Sequence, residues 1–164
     1  MLIKTERLDL IPLDARRLGL WLEDIEALEK ELDCSYRAEP LAGEFLEIVR
    51  IQRAITEKDD ENYLWHGFWL LLRRQDRVVV GAADFKGPPD IDGTVEIGYG
   101  LGKDYEGCGY MTEAVRAMCA WAREQENVSG VVAETEADGL ASQRILERCG
   151  FREFRREETV WWRL

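Results

Sequence analysis

Gly107 and Gly109 flank Cys108 at the mouth of a run, Tyr110-Met111-Thr112-Glu113-Ala114, that follows an extended segment from Thr94 to Leu101. Two glycines let the backbone bend so that consecutive N–H groups point outward where a helix begins. The first amides of a helix have no partner within it, and the helix dipole adds partial positive charge, so the spacing makes an anion cradle. A phosphate-bearing ligand beside a strand end is the chemistry this implies. Rival motifs fit less well. Gly98-Tyr99-Gly100-Leu101-Gly102 has the outline of a dinucleotide fingerprint, but no helix starts there and the third glycine is wrongly spaced. A nucleotide-triphosphate loop needs a Gly-Lys-Ser/Thr ending, and Gly109-Tyr110-Met111 lacks it. Cys108 is either a thiol activated by the helix terminus or an ordinary loop residue.

Elements must hold that loop in place. Arg7 to Leu13 alternates as a short first strand, and Asp14 can cap a helix reaching Leu32 with Leu18, Trp21, Leu22, Ile25 and Leu28 on one stripe. Pro40 opens a second helix carrying Leu41, Phe45, Ile48, Val49 and Ile55. Tyr63 to Leu72 and Val78 to Phe85 read as strands joined by the polar residues 73–77, a hairpin signal. After the break at Lys86-Gly87-Pro88-Pro89-Asp90 comes the strand Thr94 to Leu101, then the glycine loop and a helix from Tyr110 to Gln125. Gly130 to Thr135 is a buried-type strand, Ala141 to Arg148 a helix ended by Gly150, and Phe151 to Leu164 a terminal hairpin. The order β-α-α-β-β-β-α-β-α-β-β predicts a mixed α/β (α+β) sheet of about seven strands with covering helices. A crossover helix after Leu101 would put the glycine loop at the carboxyl end of its strand, where open sheets bind ligands.

Bulk properties narrow the field. A chain of 164 residues is expected to form one domain, 1–164, without repeats or linkers. No apolar run approaches the length of a membrane span, and the first residues lack the core of a signal peptide, so a cytoplasmic protein is expected. The four cysteines are scattered and there is one histidine, which leaves zinc little to bind and predicts no metal. A net charge of −11 argues against nucleic acid. From Glu23 to Glu61 thirteen acids face five bases, either a solvated face or a field that draws in a cationic substrate.

Taken together, the motifs resemble the GNAT acetyltransferase superfamily, in particular the branch of ribosomal-protein N-terminal acetyltransferases and relatives. The resemblance spans nearly the whole chain. It rests on Thr5-Glu6-Arg7-Leu8-Asp9-Leu10-Ile11-Pro12-Leu13, on Glu96-Ile97-Gly98-Tyr99-Gly100-Leu101, on Gly107 through Ala114, and on Ala141-Ser142-Gln143-Arg144-Ile145-Leu146-Glu147-Arg148-Cys149-Gly150-Phe151. It implies a mostly antiparallel sheet with helices on both faces and transfer of acetyl from acetyl-CoA to an amine acceptor in one ternary complex. It implies that the pantetheine arm pairs along Tyr99, Gly100 and Leu101 as an added strand does. The pyrophosphate would then sit on the amides of Gly107, Cys108, Gly109, Tyr110, Met111 and Thr112. Glu134 falls where some relatives keep their base, and Glu96 lies on the strand that feeds the loop. Each is either a base for the amine or a strand carboxylate in a structural pair. Ser142 either gives a hydroxyl near the sulfur or satisfies a helix N-terminal amide. Three positions depart from the pattern: Asp104 where Gln or Arg often begins the loop, Gly139 in place of Asn, and Leu146 in place of a tyrosine proton donor.

The acceptor is less legible. Tyr63, Trp65, His66 and Trp69 fall in one predicted strand, some in the core and some as a wall of the acceptor pocket; Trp21 and Tyr36 are similar cases. Trp161 and Trp162 adjoin on the final strand, so one must face outward, which would suit a homodimer contact. A non-catalytic acyl-CoA-binding or sensory module on the same fold is the alternative reading, and a relative using a longer acyl-CoA is a third.

Overall fold

The computed structural model describes residues 1–164. Two apolar layers sandwich one sheet, because the strands alternate between them. In β4 (Phe68–Arg73), Trp69 and Leu71 face one layer while Phe68, Leu70 and Leu72 face the other. The first layer is completed by α5 (Tyr110–Arg123), which buries Met111, Ala114, Val115, Met118 and Ala122, and by Leu146 of α6 (Leu140–Arg148). The second is completed by Leu18 and Trp21 of α1 (Ala15–Glu23), Leu28 and Leu32 of α2 (Ile25–Leu32), and Val49 of α3 (Gly43–Lys58). Helices therefore cover both faces, as the family resemblance implied.

The sheet has nine strands rather than seven. The two extra are pairs of residues, β1 (Ile3–Lys4) and β3 (Ser35–Tyr36), too short to leave a periodic signal. The long path runs β1, β2 (Leu8–Pro12), β4, β5 (Val78–Phe85), β6 (Thr94–Leu101), β7 (Gly130–Glu136), β9 (Thr159–Arg163) and β8 (Arg152–Arg156), with β3 beside β5. Pairings are antiparallel except β3 with β5 and β6 with β7. The β6–β7 pair is the crossover that carries the glycine loop and α5.

Three expected elements differ. The helix from Asp14 to Leu32 is two helices, because Asp24 leaves the helical conformation and its carboxylate accepts from Ala27 N at 3.1 Å, a cap in mid-sequence. The second helix starts at Gly43 rather than Pro40, with Leu41 laid against the α1–α3 layer in the linking segment. The aromatic strand from Tyr63 begins only at Phe68. Residues Tyr63–His66 make one helical turn, α4, closed by Gly67 N donating to Tyr63 O at 2.8 Å. A Cβ on Gly67 would collide with Leu13 O, so only glycine lets the chain pass there and enter β4.

That turn moves Trp65 out of the acceptor question. It stacks 5.0 Å from Phe85 and 4.8 Å from Trp121, inside the α5 layer. His66 Nε2 lies 2.9 Å from Asp59 Oδ2. Of the adjoining tryptophans, Trp162 is buried and donates to Thr135 Oγ1 at 3.0 Å, while Trp161 is half-covered with Arg155 5.2 Å over its ring.

Candidate active site

β6 and β7 pair only through Thr94–Gly130, Val95–Val131 and Glu96–Val132. Beyond that point both strands continue, to Leu101 and Glu136, but they part. On its other edge β6 stays bonded to β5 from Ile97 to Leu101. The edge of β6 that faces the split, including Tyr99, Gly100 and Leu101, therefore carries main-chain groups with no strand beside them. An open edge of this kind is a template for an amide-bearing chain.

The glycine loop sits at the end of the same strand. A single 3₁₀ turn at Lys103–Tyr105 leads to Gly107 and Gly109 at φ of 75° and 82°, both left-handed. The first amide of α5 to find an acceptor is Glu113 N, which donates to Gly109 O at 3.1 Å. The amides of residues 107 to 112 donate to nothing within the chain. Gly107, Cys108 and Gly109 lie on the surface while Tyr110, Met111 and Thr112 bury their side chains in the helix base. The amide row is thus exposed at one end and rigidly seated at the other. Cys108 Sγ is 3.7 Å from Glu106 O, and Asp104 is exposed.

Arg7 and Glu113 lock this loop to β2, a pairing that sequence reasoning missed. Glu113 accepts from Thr5 Oγ1 at 2.5 Å, Arg7 N at 2.7 Å and Arg7 Nε at 2.7 Å. The Arg7 guanidinium also donates to Cys108 O at 2.8 Å and lies 4.4 Å over the Tyr110 ring. Burial pushes the Glu113 carboxyl up, but the donors from Thr5 and Arg7 outweigh it and hold the group below its ordinary range. Glu113→Ala is expected to cost about 2–3 kcal/mol, as for a lost charge-assisted cluster, measured by chemical denaturation. The folded carboxyl titrates below the unfolded one, so its contribution is complete above the unfolded pKa. It is lost as pH falls through the folded value, and wild type and variant should converge in acid.

Two hydroxyls meet on the α5–α6 face of the split. Tyr99 Oη lies 2.8 Å from Ser142 Oγ and 3.2 Å from Ser142 O. Ser142 does not cap α6: the cap position is Gly139, which has no side chain, and Gln143 Nε2 instead ties the turn to Glu136 O at 2.9 Å. Burial pushes the Tyr99 phenol up to about 12, with Ser142 opposing, so it stays a proton donor. Leu146 is sealed in the core.

The opposite face carries the carboxylates. Val95 and Ile97 point into the α5 layer, so Glu96 points the other way, at the last paired position before the split. Burial raises the Glu96 carboxyl, Lys86 opposes, and the nearby charges of Glu134 and Asp84 raise it further. Glu134 shares this face across the split, is exposed, and accepts from Thr159 Oγ1 at 2.6 Å. Glu96 and Glu134 are thereby brought together, and Ser142 is kept on the far side of the sheet.

Asp84 is the carboxylate the sequence reading passed over. It is 1% exposed, faces Gly98 across the β5–β6 register, and meets Gln52 Nε2 at 2.5 Å and Lys86 Nζ at 3.6 Å through Oδ2. A lone acid in the otherwise apolar run Val78 to Phe85 was the available signal. It lines a cleft of about 360 Å³ between α3 and the sheet, with Phe45, Ile48, Phe68, Glu39 and Glu44 around it. Trp21 stands behind this wall, 5.8 Å from Phe45 and 5.4 Å from Phe68, with Tyr36 5.9 Å from Trp21.

A mixed sheet with helices on both faces and an amide-lined helix start at the crossover is what the sequence resemblance implied. Residues 7–152 match the model of the acetyltransferase (GNAT) domain, and the chain belongs to that family. It is 32% identical over 153 residues to the uncharacterized N-acetyltransferase YjdG of Bacillus subtilis, across 92% of this chain and 89% of that protein. The probable N-acetyltransferase YjcK of the same organism is 30% identical over 138 residues, 82% of this chain and 72% of its own length. Among solved structures, RimL, a ribosomal L7/L12 α-N-protein acetyltransferase in complex with coenzyme A, aligns with a TM-score of 0.70 at 15% identity, covering 100% of this chain and 97% of that one. MccE, a microcin C7 self-immunity acetyltransferase in complex with acetyl-CoA and AMP, aligns at 0.65 and 14%, covering 97% and 92%. At such identities these two share the fold.

Proposed function

We propose that this protein is an acetyl-CoA-dependent N-acetyltransferase that moves an acetyl group to a primary amine in one ternary complex. The observation that carries the proposal is the row of unpaired amides from residue 107 to 112, set at the end of a strand with an open edge. Six consecutive amides without an acceptor at a helix start suit a pyrophosphate. The open main chain at Tyr99, Gly100 and Leu101 suits the amides of a pantetheine arm. The relatives' names and the coenzyme A and acetyl-CoA complexes of two structural neighbours support the same donor.

Acetyl-CoA supplies a thioester, and the chain's residues handle the protons around it. Glu96, held above its ordinary range on the α3 face, takes the proton that the amine must lose as its nitrogen bonds to the acetyl carbon. Glu134 across the split keeps a negative charge near Glu96 and is the second candidate base. On the other face, the Ser142 and Tyr99 hydroxyls, 2.8 Å apart, pass one proton to the thiolate as the carbon–sulfur bond breaks, and water returns a proton to the pair as the products leave. Base and acid on opposite faces of the split match an amine arriving from one side and a sulfur leaving toward the other.

Calorimetric titration with acetyl-CoA, desulfo-CoA and a long-chain acyl-CoA tests this reading. Binding of acetyl-CoA followed by transfer to an amine supports it. Binding with no transfer to any amine would leave the sensory-module alternative standing, and no binding would end both.

A further inference from the structure

By charge alone the glycine loop is a poor place for an anion. From Lys103 to Glu113 the chain carries three acids, Asp104, Glu106 and Glu113, against one base. Asp104 and Glu106 are exposed, where water and salt screen them. Glu113 is not: its side chain is 16% exposed and stands in the first turn of α5, beside the amides that have no acceptor. A bare carboxylate there would repel a pyrophosphate. The cation that answers it comes from another element, as Arg7 at the threshold of β2.

Arg7 serves two groups of the loop at once. Nε donates to Glu113 Oε2 at 2.7 Å, and Nη1 donates to Cys108 O at 2.8 Å. The guanidinium lies 4.4 Å over the Tyr110 ring, which is itself fixed by Arg73 Nη1 donating to Tyr110 Oη at 3.2 Å. A guanidinium is a rigid planar fork, so these contacts set its direction. No main-chain amide competes for Cys108 O. The direction of that carbonyl matters, because the peptide joining Cys108 to Gly109 is trans. In a planar trans unit the C=O and N–H point opposite ways. By drawing Cys108 O toward β2, Arg7 turns the Gly109 N–H away from β2, and that amide is one of those left without an acceptor. With the peptide reversed, a carbonyl lone pair would stand where the donor now does.

We infer that Arg7 is a positioning residue for the donor's pyrophosphate: it cancels the Glu113 charge and turns the Cys108–Gly109 peptide so that its N–H, rather than its carbonyl, meets the anion. The inference rests on the acetyltransferase reading and adds to it a residue outside the loop, 101 positions before Cys108. Arg7 touches neither thioester nor amine in this arrangement and acts through the loop alone.

The test uses two donors that share a thioester, acetyl-CoA and acetyl-pantetheine, of which the second has no pyrophosphate. Arg7→Gln should weaken acetyl-CoA binding by about 30-fold in calorimetry, the scale of a lost charge-assisted hydrogen bond. Its kcat/KM for acetyl-CoA should fall through KM, while kcat, and kcat/KM for acetyl-pantetheine, stay within about twofold of the wild type. Arg7→Lys keeps the charge beside Glu113 without the fork; it guards against a folding defect and should lose about 5-fold. In protein labelled at glycine nitrogen and saturated with acetyl-CoA, the Gly109 amide proton should move downfield in the wild type and much less in Arg7→Gln. Arg7→Gln binding acetyl-CoA as tightly as the wild type would overturn the inference and leave the acetyltransferase reading intact. Equal losses on both donors would overturn it too, as the mark of general damage. So would an Arg7→Lys equal to the wild type, since charge without direction would then suffice. Failure of the wild type to bind acetyl-CoA would remove the inference and the reading together.

Discussion

Glu96→Gln is expected to bind acetyl-CoA as the wild type does and to lose about 10²–10³-fold in kcat, the range of a removed general base. The amide keeps the size and polarity of the side chain but cannot take a proton at nitrogen attack. Charge and burial set the pH signature. Burial, with Glu134 and Asp84 nearby, holds the Glu96 carboxyl above the ordinary carboxylate range, and Lys86 alone works against them. The base is therefore active above its raised pKa and is lost as pH falls through it, so the acidic limb of kcat/KM should lie above that of a free carboxylate. Glu134→Gln removes one of the charges that raise Glu96, and should move the limb to lower pH. If instead Glu134→Gln abolishes turnover and Glu96→Gln leaves the profile intact, the roles are reversed. Steady-state rates across pH, taken beside acetyl-CoA binding, separate these cases.

The glycine loop and the last helix were legible because local chemistry dominates there. Positive φ at 107 and 109, a helix start and a burial stripe are all written within a few residues. The crossover from β6 to β7 followed from element order for the same reason, since a helix between Leu101 and Gly130 suits a parallel pair. What escaped depends on contacts distant in sequence. Glu113 stands in the first turn of α5, but its partners are Thr5 and Arg7, more than a hundred positions away. Asp84 looked like one acid in a strand until the register set it over Gly98 and α3 brought Gln52 onto it. The turn at Tyr63 was lost to composition: aromatic residues favour strands, yet Gly67 must pass within touching distance of Leu13 O, and this close approach fixes where β4 begins. The split itself has no sequence signal at all. It is the point where pairing stops in two strands that both continue.

Alanine at Gly109 should weaken acetyl-CoA binding by about 100-fold, and alanine at Gly107 by about 10-fold, on the scale of one or two charge-assisted hydrogen bonds lost from the amide row. Both glycines are left-handed, so each substitution carries about 1–2 kcal/mol of backbone strain, visible as a similar drop in unfolding stability. They differ in what the new Cβ meets. At Gly107 there is nothing within 4 Å, so the loop can absorb the strain by shifting outward. At Gly109 the Cβ stands 3.3 Å from Arg7 Nη2, the guanidinium that also fixes Cys108 O. Displacing Arg7 there would disturb the carbonyl it holds and the first amides of α5 together, which is why binding should fall further than stability does. Gly87→Ala, at a half-buried position with open space around the new Cβ and no left-handed requirement, is the control for a glycine change of no consequence. Binding by calorimetry and stability by denaturation must be read on the same samples. If both loop variants lose stability yet bind acetyl-CoA as the wild type does, the amide row is a structural turn and the anion cradle is not where the cofactor sits.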